Sequence, residues 1–129
     1  MRNRFTPDMI KSLNENEVFV FGSNKEGMHI GGAAAFAQKH FGAVWGEGEG
    51  LFGQSYALPT MDDDDPNCVK PYVENFIKFA KEHKELTFLV TPVGCGIAGF
   101  TPEMIAPYFK EALDMDNVIL PKSFVDVIG

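Results

Sequence analysis

The chain is poor in several things that narrow what it can be. Cysteine occurs only as Cys68 and Cys95. Two cysteines make no disulfide framework and show no metal-ligand spacing, so reduced thiols in a cytoplasmic setting are expected. Positive charge is also scarce, with eleven Lys and Arg against eighteen Asp and Glu and a formal net charge of −7. Extended nucleic acid is therefore not an expected partner, because such binding draws most of its affinity from a basic face. Long apolar runs are missing too. None approaches the roughly 18 residues that cross a bilayer, and Met1-Arg2-Asn3-Arg4-Phe5 lacks the apolar stretch of a signal peptide, so no membrane partner is expected. The block Asp62-Asp63-Asp64-Asp65 lacks the spaced oxygen ligands and the glycine of a calcium loop, and neither a metal nor a cofactor is expected.

What remains is enough for a core. Of the 129 residues, 45% are hydrophobic and 12% aromatic, which predicts one domain over residues 1–129. Glu17-Val18-Phe19-Val20-Phe21 is a β-rich run without helical period and reads as a buried strand. Ala33, Ala34, Ala35 and Ala37 give high helix propensity from Gly32 to Phe41, with Gly42 as the C-cap. Residues 43–54 are glycine-rich and read as a loop or hairpin, followed by a strand over Gln54–Leu58 that Pro59 stops.

Farther on, Val69, Val73, Phe76, Ile77 and Ala80 recur at offsets of three and four, the stripe of a half-buried helix. Pro66 and Pro71 both suit its first turn. Leu86–Thr91 is a strand apolar enough for burial on both faces. Thr101-Pro102-Glu103 offers an N-cap, a proline at N1 and an acid for a helix to about Leu113. A last strand over Asn117–Leu120 and a helical tail complete the alternation. The expected fold class is a three-layer α/β/α sandwich around a mixed, largely parallel sheet.

Two glycine-rich stretches follow strands and precede helices. The first runs from Gly22-Ser23-Asn24 to Gly31-Gly32-Ala33, and the second is Val93-Gly94-Cys95-Gly96-Ile97-Ala98-Gly99-Phe100. Glycines let backbone approach an oxyanion, and loop amides supply donors, so the pair predicts a nucleotide or sugar-phosphate site at the carboxyl ends of the strands. Asn24 can donate to and accept from a sugar, or simply close a turn. His29 reads as a solvated loop side chain or a base. Cys95 reads as a thiolate near a helix start or a small side chain packed under its loop. Glu47 and Glu49 read as a carboxylate pair or as a flexible acidic loop.

The order of these features, with Gly53-Gln54-Ser55-Tyr56-Ala57-Leu58-Pro59 between the two stretches, resembles the macrodomain family over roughly residues 17 to 113. That resemblance implies a macrodomain-like fold that binds ADP-ribose or a related nucleotide, and ADP-ribosyl or ADP-ribose-phosphate hydrolysis as its reaction if it is an enzyme. Asn24 and Gly31-Gly32 would face the distal ribose, the amides of Gly94 to Gly99 would cradle the diphosphate, and Phe100 would border it. Asn24 would orient the anomeric centre while His29 or Glu47 activates water. The chain departs from the family pattern in three places. Gly22-Ser23 stands for an alanine pair, and Cys95 for a serine or threonine. With only sixteen residues before the core strand, the family's adenine-reading aspartate has no counterpart, Asp8 being no secure substitute. Two other readings stay open: a Cys95-dependent enzyme acting on a small anionic substrate, and an interaction module without a ligand.

Overall fold

A computed structural model of the chain describes residues 4–29, 32–96 and 98–129. Its sheet has five strands in the order β2-β3-β1-β4-β5, where β1 is Glu17–Ser23, β2 is Gly50–Phe52, β3 is Ser55–Pro59, β4 is Thr87–Val90 and β5 is Val118–Ile119. Strands β3, β1, β4 and β5 are mutually parallel, and only the edge strand β2 runs antiparallel. The α/β class and the mostly parallel, mixed sheet agree with expectation.

The alternation in β1 divides the interior. Val18 and Val20 join Tyr56, Leu58, Phe88 and Val90 in a core with α2 (Lys70–Glu82), α3 (Pro102–Ile105) and α4 (Lys122–Ile128). Phe19 and Phe21 point the other way, into a smaller core with Ala37 and Phe41 of α1 (Gly32–His40) and its C-terminal end. Successive strand residues face opposite sides, so one pentapeptide serves both cores. Phe21, Phe76, Phe88, Phe109 and Phe124 are fully buried, and each such side chain contributes about 1.5–3 kcal/mol by leaving water.

Several boundaries differ from the expected ones for local reasons. α1 ends one residue early, at His40, because Gly42 takes φ 85° and turns the chain so that the Ala43 amide donates back to Ala37. Both prolines near residue 70 are used: Pro66 opens a 3-10 turn over Pro66–Val69, capped by the Asp65 side chain, and Pro71 sits in the first turn of α2. Thr101 caps α3 with extended backbone and no side-chain hydrogen bond, and the helix narrows to a 3-10 form over Ala106–Asp114. Pro107, which has no N–H to give, falls at that change. Before β1, Thr6 pairs with Pro121, and its amide and hydroxyl donate to Leu120 and Ile119, so the N-terminal segment lines the chain beyond β5.

From β1 the chain passes through α1 to β3 on one side, then returns through α2 to β4 on the other. The loops after β1 and β4 are thereby led apart, which leaves a crevice beyond the carboxyl ends of two adjacent parallel strands. No helix among the described residues is long and apolar enough to cross a membrane.

Candidate functional site

Two cavities open in that crevice. The smaller, about 330 Å³, has walls from Gly22 and Ser23 at the end of β1 and Asn24 after it, Thr60 and Met61 after β3, Gly94, Gly96 and Ala98 after β4, and Gly32–Ala34 at the start of α1. The larger, about 750 Å³, lies beside it against α1 and is mostly apolar, with Pro7, Met9, Ile10, Phe19, Phe36 and Pro92 among its walls. Gly32, Ala33, Thr91 and Pro92 belong to both. The two spaces are therefore adjacent halves of one crevice.

The two glycine stretches meet in the smaller half. A Cβ on Gly22 would lie 3.3 Å from the Gly94 amide nitrogen and 3.2 Å from the Thr60 hydroxyl, so a glycine is what allows the loops after β1 and β4 to close on each other. In the second loop the amides of Cys95, Gly99 and Phe100 donate to Pro92, Gly96 and Gly94. These bonds form two successive turns whose intervening residues, Gly94, Gly96 and Ala98, provide the wall. Val93 and Phe100 are buried, and Phe100 packs in the larger core.

The first loop is braced from behind. Asn24 accepts from the Met28 amide at 2.8 Å and donates to the Met28 carbonyl at 3.1 Å, which locks the turn 24–28 while Asn24 still lines the cavity. Residues 44–48 press on that turn: the Gly46 amide donates to Gly27, and the buried Ser23 hydroxyl donates to the Gly48 carbonyl. His29 is buried at 4% exposure, edge-on to Phe21, with Nε2 3.1 Å from the Val44 carbonyl and Nδ1 unpaired. It is not on the wall of either cavity. Glu47 is exposed on the bracing loop, and Glu49 accepts from Asn75. Gly31 and Ile97 lie outside the described residues.

The thiol of Cys95 is half-buried, and burial, then the Glu103 carboxylate, push its pKa up. A nucleophilic thiol needs the opposite shift. Three of the four aspartates have local tasks. Asp62 accepts from the Tyr72 hydroxyl at 2.6 Å and pairs with Lys25, Asp63 accepts from the Asp65 amide, and Asp65 caps the 3-10 turn.

Most of the glycine-stretch residues singled out in the sequence line the smaller cavity, and the larger one was not anticipated. Its walls gather residues 6–11, part of α1 and Pro121–Ser123, segments that share no motif. Asp8, Met9 and Ile10 of the short lead stand on its wall, with Met9 76% exposed. Asp8 and His40 stand on this wall with Lys11 and Lys122, whereas the smaller cavity has no charged side chain among its described residues.

No family model, no curated protein and no solved structure matches the chain.

Proposed function

We propose that the chain is a macrodomain-like, three-layer module that binds ADP-ribose or a closely related nucleotide. The observation that carries this reading is the pair of adjacent cavities sharing Gly32, Ala33, Thr91 and Pro92. A mostly apolar space suits a planar base, and Asp8 on its wall is an acceptor for an exocyclic amine. The smaller space, whose walls include Gly22, Gly32, Gly94 and Gly96 beside Asn24 and Thr60, suits phosphates and a second sugar at the end of β1 and the start of α1. The ligand that joins a base to a sugar phosphate across a short bridge matches both halves. Its setting is the cytoplasm, with no extended nucleic acid and no membrane involved.

Binding has more support than hydrolysis. Asn24 lines the smaller cavity but already bonds Met28 twice, His29 is off both walls, and Glu47 belongs to the bracing loop. Hydrolysis of an ADP-ribosyl linkage is the reaction to assay, with Asn24 as the orienting group on the cavity wall.

Titration calorimetry with ADP-ribose, AMP and NAD on wild type and Gly32→Glu tests the reading. Gly32 touches both halves with open space at its Cβ but holds φ 58°, where any side chain strains the backbone, so a thermal melt first checks that the variant is folded. A carboxylate there repels phosphate and blocks the passage. Saturable heat in wild type, lost in the variant, supports the proposal. Absence of heat and of thermal stabilisation with every nucleotide ends it.

A further inference from the structure

We propose that Lys25 is the cation of the smaller cavity, held on Asp62 in the free protein and transferred to the anionic group of the ligand on binding. This rests on the nucleotide reading above and adds to it a residue that lines neither cavity. A diphosphate entering the smaller cavity meets walls without a charged side chain among the described residues, in a chain of net charge −7. Backbone amides give directed donors for a phosphate, and a nearby cation adds attraction against the chain's negative net field. The described walls of the smaller half carry no cation, Lys11 and Lys122 being on the larger half, and Lys25 stands next to its Asn24 lip.

Lys25 follows Asn24, and Asp62 follows Met61. Asn24 and Met28 form one lip of the cavity, Thr60 and Met61 the other. The Lys25 ammonium lies 3.7 Å from the Asp62 carboxylate, so the ion pair joins the two lips. Its halves are unequal. The Lys25 side chain is 61% exposed and Asp62 only 19%, and Asp62 has a second partner in the Tyr72 hydroxyl at 2.6 Å. That hydrogen bond, followed by burial and the Asp62 charge, holds the Tyr72 hydroxyl pKa up at about 12. Asp62 is thus anchored without Lys25.

The lysine is free to leave. A long, exposed ion pair contributes little, and the turn beneath it is fixed by Asn24, so only the flexible stem has to move. A phosphate offers more charge and more acceptor oxygens than one carboxylate. Lys25 exchanges one anion for a better one, while Asp62 stays at the rim as a negative charge that disfavours more highly charged ligands. The two residues accordingly act with opposite sign.

The test is calorimetry of ADP-ribose and uncharged adenosine on wild type, Lys25→Met, Lys25→Arg and Asp62→Asn at low and high salt. All three substitutions fall on the surface, and thermal melts check that each variant is folded. ADP-ribose binding should weaken about ten-fold in Lys25→Met with a flatter salt dependence, recover in Lys25→Arg, and strengthen about three-fold in Asp62→Asn. Adenosine should bind wild type and all variants alike. If wild type binds ADP-ribose and Lys25→Met binds it equally well, the lysine transfer is overturned while the nucleotide site stands. Equal weakening for adenosine and ADP-ribose also overturns it, since that reports a distorted turn. If wild type binds neither probe, both proposals fall together.

Discussion

The two glycine stretches look alike as sequence and differ as structure. In the turn 24–28 of the first and the loop 44–48 that braces it, glycine makes room for protein. A Cβ on Gly27 would lie 2.3 Å from the Glu47 nitrogen, and one on Gly48 would lie 2.2 Å from the Asn24 carbonyl oxygen, so the turn 24–28 and the loop 44–48 are packed backbone to backbone. In the second, Gly96 and Gly99 have, among the described residues beyond their chain neighbours, no atom within 4 Å of a Cβ. Their space is open. Glycine thus serves two ends in one crevice: close packing that fixes one lip, and an uncovered surface on the other that a ligand can approach.

The largest effect should come from filling the first kind of space. Gly27→Val or Gly48→Val sets a side chain into backbone atoms that cannot yield as a flexible side chain would, and Gly27 also holds φ 69°. Either variant should lose about 4 kcal/mol of stability, or fail to fold, in denaturant titration. A loss below about 1 kcal/mol would mean that the two loops separate freely, and the contrast between the stretches would go.

Next comes alkaline pH, which reads how firmly the bracing segment is held. Burial, then Glu49 at the end of that segment, raise the Tyr56 hydroxyl from its ordinary 10 to about 12. A group whose pKa is raised by folding stabilises fully below its unfolded value, and that stability is lost as pH rises through the folded value. Between pH 10 and about 12 the protein should therefore lose on the order of 2 kcal/mol on this account. Denaturant midpoints across that window should fall less steeply in Tyr56→Phe than in wild type. Glu49→Gln should move the Tyr56 titration down, since it removes a charge that opposes the phenolate.

How much of this was legible follows from the range of the forces involved. The strand Glu17–Phe21, the stripe from Val69 to Ala80 and the pairing of glycine loops are local patterns of period or composition, and local patterns survive in sequence. The bracing of the turn 24–28 by residues 44–48 is not local. Reading Gly46-Glu47-Gly48-Glu49-Gly50 as flexible overlooked that glycine also permits the closest packing two backbones can make. The 3-10 form after Ala106 was announced by Pro107, yet a continuous apolar stripe hid it. The larger cavity needed Thr6 paired beside Pro121, a contact between the two ends of the chain that neither end signals alone.

A smaller effect separates conformation from space within the second stretch. Gly99 holds φ 82° in open surroundings, so Gly99→Ala should cost about 1 kcal/mol from backbone strain alone. Thermal unfolding would show it. A neutral result would mean that the turn closing on Phe100 accepts another conformation.

The smallest effect on stability should come from Gly96→Ala, and it discriminates best between the stretches. Gly96 is on the wall of the smaller cavity, has no atom within 4 Å of a Cβ among the described residues beyond its chain neighbours, and is not among the glycines with positive φ. Neither packing nor conformation therefore demands glycine there, and the change should lie within about 0.5 kcal/mol of wild type. If the open side is where phosphate approaches backbone, the added methyl stands in the way, and ADP-ribose affinity should fall about ten-fold by calorimetry, a difference of about 1.4 kcal/mol. Loss of affinity at constant stability would assign the glycine to the ligand, as backbone packing assigns Gly27 of the first stretch and Gly48 of its bracing loop to the fold. Unchanged affinity would show that the second stretch is open without being used.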